Sequence, residues 1–195
     1  WNIYGQIYPS VTEAFRRAAF QVSSILTTTG FVSANYDQWP ALSQLILLLC
    51  MFLGAMAGST GGAMKIMRVM LLIRHGYREM LHIIHPHAVT MVKLGGRAVP
   101  NEILASIWGF FVLYMSLFVV ATLIMASLGL DLSSSIASVA ASIGNVGPGL
   151  GMVGPAENYL EVPLLGKWVL VLCMLLGRLE IYTVIVLLVP EFWRK

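Results

Sequence analysis

The chain has 195 residues, of which 58% are hydrophobic and only 11% charged, with a formal net charge of +3 and a mean hydropathy of +0.81. An ordinary soluble domain carries about 25% charged residues, and a soluble fold of this length cannot hide so much apolar surface. The composition excludes a typical water-soluble enzyme and points to the bilayer as solvent.

Charge is unevenly spread. Lys65, Arg68, Arg74, Arg78, Lys93 and Arg97 stand against the single acid Glu79. In a soluble protein such a stretch suggests nucleic acid; between two membrane spans it marks the cytoplasmic side. Cys50 and Cys173 each lie inside an apolar run and read as packed thiols that say nothing of redox compartment. The start at Trp1, without a basic leader and short apolar core, shows no signal peptide and suggests a missing N-terminal part. Phe192-Trp193-Arg194-Lys195 reads as a natural aromatic and basic end just past a span.

In chain order, residues 1–10 form a polar and aromatic lead-in. Residues 11–26 predict a helix, with Ser10 or Thr12 as N-cap and Glu13 in the first turn. At roughly 24 Å it is too short to cross about 30 Å of hydrocarbon, and it reads as re-entrant. Thr27-Thr28-Thr29-Gly30-Phe31 follows. Residues 41–73 form a long hydrophobic stretch interrupted by Gly54, Gly58, Ser59, Thr60, Gly61 and Gly62. As one helix it would reach roughly 50 Å, so a break inside the membrane is expected. A glycine packing seam is the other reading, but seams show glycines four apart rather than a cluster.

Residues 74–99 predict a cytoplasmic connector holding all four histidines, His75, His82, His85 and His87. A metal site there would need further Cys or carboxylate partners, and only Glu79 is near; interfacial histidines near headgroups are the other reading. Residues 102–128 predict a full span. Residues 131–142 predict a second short helix capped by Asp131, followed by Ser142-Ile143-Gly144-Asn145-Val146-Gly147-Pro148-Gly149. Residues 150–163 predict an outer loop, and 165–190 a last span.

The order short helix, glycine-centred segment, polar loop, long helix thus occurs twice. Potassium-channel filters use this device: an extended strand whose backbone carbonyls replace the ion's water. Gly30 and Gly147 lack a Cβ and can adopt angles that turn carbonyls toward an axis. The negative end of each short helix points at the same place. The expected ion contacts are Thr28, Thr29, Gly30 and Phe31, and Asn145, Val146, Gly147 and Pro148; potassium would be held by backbone carbonyls, with Thr28, Thr29, Asn145 and Val146 foremost. Spans at 41–73, 102–128 and 165–190 put both filters and the acids Asp37, Asp131, Glu157 and Glu161 outside, with the basic stretch and the C-terminus inside. The outer acids either focus cations or are simply solvated loop charge.

The motifs Thr27–Phe31, Gly58-Ser59-Thr60-Gly61-Gly62, Gly147-Pro148-Gly149-Leu150-Gly151, Leu176-Gly177-Arg178-Leu179-Glu180 and Pro190-Glu191-Phe192-Trp193 closely resemble the membrane subunit of Trk-type potassium uptake systems, in the Trk/Ktr/HKT superfamily. The resemblance covers essentially the whole chain. It implies an all-α membrane protein of helix–pore-helix–filter–helix repeats with a broken inner helix, four repeats around one pore. This chain matches the last part: residues 1–73 give the pore helix, filter and broken inner helix of the third repeat, 74–99 the connector, and 100–195 the fourth repeat. The resemblance also implies potassium uptake across a bacterial inner membrane, multi-pass, with a cytoplasmic C-terminus. It implies a gate made of the glycine-rich loop around Gly58, Ser59, Thr60, Gly61 and Gly62, with Arg178 nearby; Lys65 adds positive charge to the inner vestibule. A structural tie to backbone carbonyls is the other role open to Arg178. Glu180, two residues on, faces another way.

Implied partners are membrane lipid, a second copy in a homodimer, and a cytosolic nucleotide-binding regulatory (TrkA-like) subunit docking on 74–99 and the C-terminus; no nucleic acid is implied. Potassium is the permeant, with no covalent cofactor, and nucleotide enters only through the regulatory partner. The alternative is a secondary transporter coupling sodium or another solute through a broken-helix site, which would not need paired re-entrant segments. A membrane enzyme using the histidines would need a nucleophile–base pair or paired intramembrane carboxylates, and neither is visible.

Overall fold

A computed structural model describes residues 2–56, 58–59, 61–86, 91–179 and 181–194. Trp1, Thr60, His87, Glu180 and Lys195, singled out above, lie outside these residues. Helix α1 (Val11–Leu26) covers the predicted short helix, with Ser10 as N-cap and Glu13 in its first turn. Pro40 precedes α2 (Ala41–Phe52) and suits a helix start, because its fixed φ is compatible with the first turn.

The expected break then occurs and is wider than the glycine cluster. The chain leaves α2 at β1 (Leu53–Gly54) and re-enters helix after β2 (Met64–Lys65). These two-residue strands pair in parallel, Leu53 with Met64 and Gly54 with Lys65, closing the loop at its neck. A Cβ at Gly54 would lie 2.3 Å from the Gly62 carbonyl oxygen, so the neck admits no side chain there.

Helix α3 (Ile66–Ile84) runs well past residue 73. The first part of the predicted connector is therefore helical. Its basic residues alternate with apolar ones at helical spacing, and the helix ends just before Pro86. A small hairpin follows, β3 (Lys93–Leu94) against β4 (Arg97–Ala98), turned by Gly95 and Gly96 with φ of +56° and +81°. With these four short strands aside, the described residues are helical or irregular, as expected.

Helix α4 (Asn101–Ser127) is long and apolar enough to cross a membrane. Helix α5 (Leu132–Ile143) is capped by Asp131, whose carboxylate accepts from the Ser134 amide at 3.1 Å. Nine of its twelve residues are buried, seven of them Ala or Ser, which lets α2, α4 and α6 approach closely. Its hydroxyls turn back to the backbone: Ser135 Oγ donates to the Leu130 carbonyl and Ser138 Oγ to that of Ser135. Val139 and Ile143 face a core with Phe110, Tyr114, Met125 and Leu170. Ala137, Ala140 and Ala141 face a second core with Ala14, Ile25, Leu47 and Met51. Helix α5 thus joins the two halves of the chain.

The predicted last span is broken. Helix α6 (Leu164–Arg178) and α7 (Ile181–Leu188) meet at 107°, and α8 (Pro190–Trp193) ends the described chain. Arg178 is accordingly at a helix end and not in mid-span. A guanidinium buried within a straight apolar helix is costly, whereas at a helix C-terminus it faces the negative end of the dipole.

Candidate functional site

The two glycine-centred segments share one backbone design. At the end of α1, Thr27 N–H donates to Ser23 O, Thr28 to Ile25 O, and Thr29 to Ser24 O. At the end of α5, Gly144 donates to Ala140 O, Asn145 to Ser142 O, and Val146 to Ala141 O. Every donor and acceptor recurs at the same offset. So do the unusual dihedrals: Thr28 and Asn145 have φ of +53° and +56°, Gly30 and Gly147 of +75° and +106°. A β-branched threonine in the left-handed region is uncommon, and it persists here because the flanking helix and loop hold it.

The segments lie against one another. A Cβ at Gly30 would fall 2.2 Å from the Val146 carbonyl oxygen and 3.3 Å from Pro148 Cδ. Glycine is therefore required at Gly30 both by its φ and by its neighbour. Two carbonyls in the predicted set already accept hydrogen bonds from the protein. Ser24 Oγ donates to Phe31 O at 2.7 Å, and the Tyr159 hydroxyl donates to Gly147 O at 2.6 Å. The Phe31 side chain is exposed, while Val146 is buried and Pro148 half-buried.

Polar groups outside the predicted set hold these strands. Buried Gln21 accepts from the Ser33 amide at 2.9 Å, and Arg17 donates to the Ser33 carbonyl, fixing the chain just beyond the first segment. Asp37 Oδ1 accepts from the Gly151 amide at 3.0 Å, linking the first outer loop to the second. Ser134 Oγ accepts from the Met152 amide at 2.8 Å. Burial pushes the Asp37 carboxyl above its usual range, against the opposing Gly151 N–H bond. The Ser134 hydroxyl and amide hold Asp131 below that range, and burial pushes the Tyr159 phenol up to about 12. A glutamine within the apolar pattern of α1 was the available signal for Gln21. Asp37 and Tyr159 act across long loops, where spacing carries no signal.

The glycine loop sits at the base of both segments. The Gly62 amide donates to Thr28 Oγ1 at 3.3 Å. A Cβ at Gly62 would lie 2.6 Å from Gly144 O and 2.8 Å from Asn145 Cβ. Asn145 Nδ2 donates to the Met174 carbonyl at 3.2 Å, and a Cβ at Gly177 would lie 2.0 Å from Ile143 O. Beyond the loop, Ser59, Gly61, Lys65 and Arg178 line one cavity of about 270 Å³. Most of the described residues expected to form a gate thus come together. Gly58, with φ +88°, turns the loop at a position with open space around it. The cavity also holds Arg68, whose guanidinium stacks 4.2 Å from the Phe110 ring centre. In the sequence Arg68 stands out only as one of the basic residues.

His75 packs edge-on to Trp108, and its ring lies 3.7 Å from the Glu79 carboxylate. Among the described residues no group of three or more His, Cys, Asp or Glu is arranged to hold a metal.

Paired pore-helix hairpins side by side, with a broken inner helix beneath them, define a helical membrane protein built of pore-helix repeats. Residues 7–195 match the family described as TrkH, cation transport protein, and the chain belongs to that family. It is 43% identical over 192 residues to the Trk system potassium uptake protein TrkH of Salmonella typhimurium, covering 98% of this chain and 39% of that one. With the protein of the same description from Escherichia coli it shares 43% identity over 194 residues, 100% of this chain and 39% of the other. The crystal structure of the potassium transporter TrkH from Vibrio parahaemolyticus matches with a TM-score of 0.87 at 45% identity, covering 96% of this chain and 40% of that one. The family resemblance read from the motifs is borne out. The chain spans 39–40% of the length of these relatives.

Proposed function

We propose that this chain contributes two filter segments and a gate to a potassium-uptake pore in a bacterial plasma membrane. The observation that carries the reading is the duplicated turn, Thr28–Gly30 against Asn145–Gly147, with Gly30 packed on the Val146 carbonyl. A monovalent cation leaves water when several backbone oxygens of suitable field replace its shell. Thr28, Thr29, Gly30, Asn145 and Val146 supply those oxygens. Tyr159 orients the carbonyl of Gly147, and Phe31 and Pro148 form the outer shoulder.

The loop through Gly58, Ser59, Thr60, Gly61 and Gly62 closes the path below the filter. Lys65, Arg68 and Arg178 surround the cavity beyond it and oppose cation passage while the loop is in place. The third-repeat, connector and fourth-repeat division at 1–73, 74–99 and 100–195 belongs to the same reading. So do a homodimer, a nucleotide-binding cytosolic regulator and a cytoplasmic C-terminus.

The test is rubidium uptake by the full-length gene in cells lacking their own potassium systems. Gly30→Asp and Gly147→Asp are each expected to abolish or alter uptake. Normal, selective uptake by both variants would overturn the reading.

A further inference from the structure

On the same membrane reading, but independent of ion permeation, we propose that the groove between α3 and the β3–β4 hairpin binds an anionic phospholipid of the inner leaflet. The groove encloses about 830 Å³. Ile73, Tyr77 and Met91 give it an apolar floor, and Arg74, Arg78 and Lys93 form its rim. The three apolar side chains are 69%, 60% and 63% exposed, so the floor is open to whatever surrounds the chain.

The level of the groove is fixed by the start of α4. Arg78 Nη1 donates to Asn101 Oδ1 at 3.0 Å, at the first residue of the spanning helix. Leu71 and Val92 pack with Leu104 and Ile107, the first turns of that helix. The floor therefore borders hydrocarbon and the rim sits at the polar boundary, where a phospholipid changes from acyl chain to phosphate.

The charges favour an anion. Arg78 is balanced by Glu79, which it meets at 2.8 Å, and Glu79 is held below the usual carboxylate range by that bond. Arg74 instead donates to the Lys93 backbone carbonyl, a neutral partner. Lys93 stands beside it on the hairpin. Two cations over an apolar floor complement an amphiphile with an anionic head; a soluble acidic protein would match the rim but leave the floor uncovered. Basic pockets on the cytoplasmic side of membrane helices bind such headgroups, and long cationic side chains reach to them from the interface.

The experiment uses the full-length protein, purified in mild detergent, titrated with phosphatidylglycerol and separately with phosphatidylcholine, with bound lipid read by native mass spectrometry. The wild type is expected to retain phosphatidylglycerol preferentially. The double variant Arg74→Gln, Lys93→Gln should bind it at least about tenfold more weakly, since each interfacial cation contributes about fivefold. Arg16→Gln, an equal loss of charge per site on α1 outside the groove, should leave the preference unchanged. Equal retention of both lipids by the wild type, or an unaltered preference in the double variant, would overturn the proposal. So would loss of binding to the purified cytosolic regulator with lipid preference intact. If the double variant does not fold, Ile73→Trp fluorescence decides. Selective quenching by brominated phosphatidylglycerol supports the site; equal quenching by brominated phosphatidylcholine, or a tryptophan shielded by the rest of the chain, overturns it.

Discussion

Gly30 and Val146 are close neighbours although they belong to different halves of the chain. A single methyl group on Gly30 would penetrate to 2.2 Å from the Val146 carbonyl oxygen, with φ already at +75°. The equivalent Gly147 has φ of +106° but nothing within 4 Å of its would-be Cβ. The asymmetry distinguishes two substitutions that sequence alone would treat as equal. Gly30→Ala combines about 1–2 kcal/mol of backbone strain with a collision against a proposed ion ligand, and should lower rubidium uptake by more than tenfold. Gly147→Ala carries strain without that collision and should retain more activity. Uptake assays of the two full-length variants, normalised to protein in the membrane, check the order.

Gly62 is the corresponding contact for the glycine loop proposed as the gate. Its missing Cβ would sit 2.6 Å from the Gly144 carbonyl oxygen. Gly62→Val should lift the loop from the filter base and raise basal flux severalfold in proteoliposomes lacking any regulator. Gly58→Ala, facing open space, should change flux less. Unchanged flux in Gly62→Val would remove the loop from the gate.

Tyr159→Phe keeps the buried ring and deletes the donor that meets Gly147 O at 2.6 Å. Losing one such bond costs about 1 kcal/mol, too little to unfold the protein. The expected effect is on selectivity: a severalfold fall in the rubidium-to-sodium uptake ratio with near-normal abundance.

Asp37 gives a pH prediction. Burial raises its folded-state pKa above the ordinary value of 3.8. The native chain then holds this proton more tightly than the unfolded chain, so the Asp37 contribution to stability falls as pH rises from that value through the raised one. Asp37→Asn preserves an acceptor for the Gly151 amide and removes the titration. Its melting temperature should therefore gain on wild type between pH 4 and pH 7. Asp37→Ala, which leaves the Gly151 amide without this acceptor, should be destabilised by about 1 kcal/mol at pH 7.

Much of this architecture was legible in the residues. Ser10, Asp131 and the long apolar runs located α1, α2, α4 and α5, because helix caps and apolar patterning are local signals. The glycine cluster located the break because helices tolerate few glycines. Two features escaped. The bend between α6 and α7 is marked in the sequence by no proline and no glycine cluster, so the stretch reads as one continuous span. The helical run to Ile84 lies partly in the connector, where charges interrupt the apolar run that marks the helix before residue 73. At the site, the two glycine-centred turns were readable from their recurring Thr, Gly and Val residues, but Tyr159, Asp37 and Gln21 act through long-range contacts with no fixed spacing. The cavity that gathers Arg68 with Lys65 and Arg178 is likewise a product of the fold.

The most direct measurement is the position of rubidium in the full-length protein, by anomalous diffraction at the rubidium edge. Discrete density is expected on the axis, ringed by the carbonyl oxygens of Thr28, Thr29 and Gly30 on one side and Asn145 and Val146 on another. An axis free of rubidium at saturating concentration, or an ion held elsewhere by side chains, would contradict the assignment of these backbone oxygens as the site where the cation is stripped of water.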